Sequence, residues 1–323
     1  MKFIFSVLFL TLTVFVSAQE FKSGTFLYRI IDEKNVEVLS NDKKMSGNVI
    51  IPESVAFDGK IYYVSQVADT GFANCKGIKS LILSSKISKI GKRAFFNCVN
   101  LNSVNIPYGV KEIPEGVFCH CQALGGVSLP DKITIIGDYA FAGCKDIVKI
   151  NLPDMLKTIG NKAFYNCSKL AALRLPSEVE KIGIRAFQGC TGLLRFEVEE
   201  QNKFFTANES VLFSKDLKKL IKYPSKKETQ LYTPPSALTE IEEFAFENVN
   251  DIVAVQLSNG VQTISNYAFS NCETLQKVKV PTSVRFIGED AFFGCLRLQE
   301  ESLHGGVDYI EFDYSLGLIE DLE

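Results

Sequence analysis

The chain has 323 residues, 46% apolar and 23% charged, with 25 phenylalanines, no tryptophan and a formal net charge of −3. That composition is that of a folded protein and excludes a disordered one. The mildly acidic balance excludes a whole-molecule attraction to nucleic acid or to an anionic membrane surface.

The chain opens on a leader. Lys2 supplies a positive start, residues 3–16 are apolar apart from Ser and Thr, and Val16-Ser17-Ala18 offers small residues for cleavage before Gln19. This predicts a secretory signal peptide over 1–18. The apolar run is short for a bilayer span, and no later stretch approaches the length of one, so the mature chain is expected to be exported without a stable membrane span. No cysteine follows the cleavage site, which argues against lipid attachment there. Residues 19–45 come next as an N-terminal cap, in which 25–31 and 35–39 read as the arms of a β-hairpin.

From residue 46 a 23-residue unit takes over. Its anchor is a phenylalanine: Phe72, Phe95, Phe118, Phe141, Phe164 and Phe187, then Phe246, Phe269 and Phe292. Three residues after eight of these nine stands a cysteine (Cys75, Cys98, Cys121, Cys144, Cys167, Cys190, Cys272 and Cys295), while Val249 occupies the slot after Phe246. A period in the low twenties marks a solenoid, whose units bury their apolar faces only against one another. Each unit opens with a segment such as Leu101-Asn102-Ser103-Val104-Asn105-Ile106-Pro107, whose alternation predicts a short half-buried strand ended by proline. A second apolar pair follows, often Ile-Gly as in Ile136-Gly137 and Ile159-Gly160, where glycine is expected to ease a tight corner. Phe and Cys three apart fall on one side of a helical turn, so Ala-Phe-x-x-Cys is expected to be a short α or 3₁₀ turn facing inward.

The repeats are placed at 46–297. One unit, 193–228, carries 13 extra residues, which read as a hairpin insertion at about 204–223. Two readings of it are open: a ribbon packed against the coil, or a protruding contact loop with Phe204, Phe205 and Tyr223 near it. The final copy, 298–323, has Tyr314 in the phenylalanine slot and no cysteine, as expected of a degenerate capping repeat. Eight of the nine cysteines share one structural slot, so they are expected to be buried thiols. Stacked equivalent side chains run parallel, whereas a disulfide needs them aimed at each other.

Strand-Ile-Pro followed by x-x-Val-x-x-Ile-Gly-x-x-Ala-Phe-x-x-Cys at a 23-residue period resembles the BspA-type leucine-rich repeats of bacterial surface proteins. The resemblance implies an α/β repeat solenoid: a right-handed superhelix with a parallel sheet on one face and short helical turns on the other. It implies adhesins or ligand-binding surfaces, in some members for host extracellular-matrix proteins, with no catalytic residues to carry over. A parallel β-helix, with three strand-like runs per coil, is the competing architecture.

Chemistry is sparse. There are two histidines, His120 and His304, and no phosphate-binding loop, nucleophile elbow or dinucleotide fingerprint. Cys119-His120-Cys121 is the only metal-like cluster, and no second Cys/His pair completes four ligands. Cys119 lies outside the ladder and is expected to be more accessible. No enzyme, cofactor or metal is expected.

What remains is the outer face of the strands. Their third and fifth positions point away from the core and stack in two columns. From residue 149 onward these carry Lys149, Arg174, Arg195, Lys277 and Lys279 against Glu197. This basic stripe on an acidic protein is the candidate site for a protein or glycan ligand of anionic character. The expected function is that of a non-catalytic, adhesin-like interaction protein at the cell surface or secreted. A structural scaffold of the periplasm or envelope, without a host ligand, is the alternative.

Overall fold

The computed structural model describes residues 19–299. The segment 1–18, expected to be a leader, and nearly all of the expected terminal copy lie outside them. The described chain is a β-solenoid whose coils stack through parallel backbone ladders. In the first ladder, Ser46–Ile50 pairs with Gly77–Ile82 and that strand with Ser103–Val104. Single bridges, Asn105 to Ser128 and Lys149 to Ala172, carry the register onward. Ala172–Leu175 then pairs with Arg195–Val198, and Leu231–Tyr232, Ala254–Gln256 and Lys277–Lys279 resume the ladder further along.

The Ile-Gly segments form a second parallel ladder. Glu112–Ile113, Ile135–Ile136, Thr158–Ile159 and Lys181–Ile182 pair in order, and Lys219–Lys222, Glu240–Ile241, Thr263–Ile264 and Phe286–Ile287 form a second run. The corner glycine is needed for space, not for conformational freedom. A Cβ on Gly160 would lie 2.5 Å from the amide nitrogen of Asp138, and one on Gly183 would lie 2.4 Å from that of Asn161; neither residue has positive φ.

The expected helical turns are not there: no helix occurs among the described residues. The residues two before and two after each phenylalanine are left-handed. Around Phe95 they are Arg93 (φ 53°) and Asn97 (φ 57°); around Phe164, Lys162 (φ 51°) and Asn166 (φ 56°). A right-handed helix cannot pass through such residues. Alternate amides point instead to the next coil: Tyr139 N–H to Asn161 O at 2.9 Å, Phe141 to Ala163 at 2.8 Å, and Gly143 to Tyr165 at 2.7 Å. The third side of the coil is therefore another inter-coil ladder, built on turns.

Inside, the phenylalanines stack. Centroids from Phe72 to Phe187 are 5.5–6.0 Å apart, and those from Phe246 to Phe292 are 4.5 and 5.2 Å apart. All nine cysteines are free and buried. Each ladder thiol from Cys98 onward sits 3.0–3.2 Å from the carbonyl of the phenylalanine 26 residues earlier, for example Cys144 Sγ to Phe118 O at 3.1 Å. A small apolar side chain with a weak S–H donor suits a slot facing a backbone carbonyl. Burial pushes the thiols up, Cys98 and Cys190 to about 12.

Phe26 covers the open end of the stack, edge-on to Phe72 at 6.2 Å. It belongs to an antiparallel set, Glu20–Ser23, Phe26–Ile30 and Asn35–Ser40, which joins the solenoid through parallel pairing with Lys60–Val67. In the expanded unit, Phe205–Asn208, Val211–Ser214 and Lys219–Lys222 form an antiparallel ribbon. Val211, Leu212, Phe213, Leu220 and Tyr223 are buried, so the ribbon is packed and does not protrude. It divides the interior into two apolar cores, one up to Leu212 and one from Val211 onward.

Candidate ligand-binding face

Strand alternation puts every other side chain of the first ladder outside. Ser103, Asn105, Ser128, Lys149, Asn151, Arg174, Arg195 and Glu197 are exposed, and so are Gln256, Lys277 and Lys279 in the later strands. The pairing stacks them: Lys149 is bridged to Ala172, Ala172 faces Arg195, and Arg174 faces Glu197; beyond the expanded unit, Ala254 faces Lys277 and Gln256 faces Lys279.

The five predicted cations are not equivalent. Arg174 Nη2 lies 2.8 Å from Glu199 Oε1, and Arg195 Nε lies 2.8 Å from Glu197 Oε1. Glu199 is itself held by the Ser177 amide at 2.9 Å. Both arginines are therefore balanced by carboxylates on their own face. Lys149, Lys277 and Lys279 make no ion pair among the described residues. Lys277 and Lys279 leave the same strand on the same side, about 7 Å apart from the strand rise. The expanded unit separates them from Lys149, so the stripe resolves into one lysine in the earlier half and a pair in the later. Glu199 went unnoticed in the sequence, although Arg195, Glu197 and Glu199 alternate and share a face.

The Cys119-His120-Cys121 triplet does not converge. His120 is exposed and left-handed (φ 62°), edge-on to Phe96 at 5.7 Å, while Cys121 belongs to the thiol ladder. Cys119 is buried, contrary to the expected exposure, and burial pushes its thiol up to about 11. Among the described residues no group of three or more His, Cys, Asp or Glu side chains could hold a metal ion. No helix among them is long and apolar enough to cross a membrane.

Three solved structures share the fold. The pneumococcal vaccine antigen PcpA is 22% identical, with 87% of this chain and 80% of that chain covered and a TM-score of 0.76. A leucine rich cell surface protein from Faecalibacterium prausnitzii is 22% identical, with coverages of 88% and 94% and a TM-score of 0.65. A leucine-rich repeat protein from Bacteroides ovatus is 25% identical, with coverages of 86% and 81% and a TM-score of 0.57. Among curated protein sequences none matches the chain significantly. The family model described as BspA type leucine rich repeat region matches residues 53–133, 111–233 and 223–314. Well over half the chain is covered by those matches, and the protein belongs to the BspA-type leucine-rich repeat family.

Proposed function

We propose that the protein is an exported, non-catalytic interaction protein that holds an anionic protein or glycan against the outer face of its first ladder. The observation carrying this reading is the set of lysines there without an ion pair among the described residues, Lys149, Lys277 and Lys279, on a preformed backbone. Such a face binds through many shallow contacts without ordering a loop first. Arg174 and Arg195 contribute as bidentate donors whose carboxylate partners, Glu199 and Glu197, must be displaced or shared. Screening by salt follows, because the lysines are exposed.

Presentation at the cell surface is supported by the likeness to the leucine rich cell surface protein of Faecalibacterium prausnitzii. Heparin serves as an anionic glycan probe and an acidic protein as its counterpart. Wild-type residues 19–323 are expected to bind one of them in a salt-sensitive way. A variant carrying Glu at 149, 174, 195, 277 and 279 is expected to lose that binding without losing its fold. Unchanged binding by the variant would remove the basic face from the mechanism. Protease treatment of intact cells tests the location. Loss of the chain supports presentation at the surface, and protection until the outer membrane is permeabilised supports the periplasmic scaffold.

A further inference from the structure

The expanded unit leaves a gap in the stack. On the turn side of a regular coil, the amides two before, at and two after the phenylalanine all donate to the next coil; for Phe164 these are Lys162 to Ile184 O at 3.0 Å, Phe164 to Ala186 O at 2.9 Å and Asn166 to Gln188 O at 2.8 Å. Just before them, Ile159 O accepts the Gly183 amide at 2.8 Å. The Phe187 coil has no such neighbour. Its fourth group, the Gly189 amide, is taken by the Glu247 carboxylate at 3.0 Å. The other three, Ile182 O, Arg185 N–H and Phe187 N–H, have no hydrogen-bond partner among the described residues.

This open edge lines a cleft of about 380 Å³ between the Phe187 coil and the coils that follow. Ile184, Phe205, Ile221 and Phe244 supply apolar wall. The buried Gln188 Oε1 has no hydrogen-bond partner, and Lys222 Nζ, also buried, spends one proton on Phe244 O at 2.8 Å. Charged groups at the cleft are Arg185 and Lys222 against Glu240, Glu242 and Glu243. Arg185 is paired with Glu243 and Lys219 with Glu240, each at 2.8 Å; Glu242 has no ion pair among the described residues. Glu242 stands in the corner slot that Gly183 fills in the Phe187 coil and Ser265 in the coil that follows, and its amide donates to Leu220 O at 3.0 Å.

We propose that this cleft is a peptide site, in which a segment of a partner polypeptide, turning the corner as Gly183–Ala186 does and carrying a basic side chain for Glu242, completes the interrupted ladder. The Phe164 coil and its neighbour give the pattern. One residue of the segment donates its N–H to Ile182 O, and the carbonyls one and three residues further on accept from Arg185 and Phe187. Main-chain groups give affinity and side-chain pockets give selectivity, as in other strand additions to an open edge. With Arg185 on Glu243, Lys219 on Glu240 and Lys222 on Phe244 O, Glu242 is the cleft carboxylate without an ion pair among the described residues, and it selects for a cation.

The site is independent of the basic face and is tested separately. The blocked pentapeptide acetyl-Ala-Val-Lys-Val-Ala-amide and its Glu-centred analogue are titrated by calorimetry into the full chain, with the Arg185 and Phe187 amides followed by NMR. The lysine peptide is expected to bind and to move both amide signals, and to be favoured over the glutamate peptide by roughly tenfold. Glu242→Gln is expected to abolish the preference and Glu242→Lys to reverse it. Neither peptide shifting the two amides at about 1 mM, or an undiminished lysine preference in folded Glu242→Gln, would overturn the proposal.

Discussion

The coils anchored by Phe95 to Phe164 and the expanded unit 193–228 face the same requirement, that every inward backbone group find a partner, and they meet it differently. In the regular coils the backbone of the next coil does most of this, joined by repeated side-chain contacts such as the Asn161 amide to Asp138 Oδ1 at 2.7 Å and the Cys167 thiol to Phe141 O at 3.2 Å. At the break, side chains stand in: Glu247 takes the Gly189 amide, Ser225 Oγ reaches Glu247 O at 3.2 Å, and Lys222 Nζ reaches Phe244 O. The aromatic stack is likewise closed off on each side, Phe196 lying edge-on to Phe187 at 5.2 Å and Tyr223 stacking on Phe246 at 4.9 Å. Repetition supplies stability where it is unbroken. Where it stops, the substitutes are specific, polar and incomplete, and the incompleteness is what leaves a cleft.

The contrast can be broken most forcefully in the regular part. Phe164 is fully buried between Phe141 at 5.5 Å and Phe187 at 6.0 Å, so Phe164→Ala is expected to cost about 3–5 kcal/mol in denaturant unfolding. An unchanged midpoint would contradict the ladder. The corner slot gives a sharper test. Gly160→Ala pushes a Cβ against the Asp138 backbone and is expected to cost about 1–3 kcal/mol, whereas Glu242→Ala in the equivalent slot is expected to be nearly neutral. Equal costs would mean that the Asp138 backbone does not confine the Gly160 corner. Glu247→Ala leaves the Gly189 amide and the Gln188 amide group unpaired, with an expected loss of about 1–3 kcal/mol measured the same way.

The smallest effect concerns pH. Burial raises the Glu242 carboxyl above its ordinary 4.5, so the folded state holds this proton more tightly than the unfolded chain. The stability this contributes is full below about pH 4.5 and fades as pH rises through the raised value. Glu242→Gln is therefore expected to melt above wild type at pH 7, with the difference closing in acid. A difference independent of pH would place the carboxyl in solvent.

Much of the fold was legible because burial imposes the period. Phe72 to Phe187, the strand apolars such as Val104 and Ile106, and the outward columns all follow from a 23-residue spacing and strand alternation. The turn side was misread because Phe and Cys three apart fit a helix equally well. The left-handed residues that forbid it include Thr70, Arg93, Tyr139 and Lys162, none with a preference for that conformation. Asn74, Asn97 and Asn166, with Gly143 and Gly189, did carry the signal on the other side of the phenylalanine. The corner glycines were visible but not their reason, since close approach of the preceding coil is a property of the stack. The outward cations were readable, but their neutralisation needed the Glu199 position. The cleft showed only as departures in one unit, Val249 for cysteine and Glu242 in a corner slot that Pro114 and Ser265 also fill without glycine.

Amide hydrogen exchange at single-residue resolution tests the comparison most directly. Tyr139, Phe141, Lys162 and Phe164 amides, each bonded to the next coil, are expected to exchange at least about a hundredfold more slowly than those of Arg185 and Phe187 in the unliganded protein. Equal protection across the six would mean that the ladder continues through the expanded unit, and the open edge would not exist.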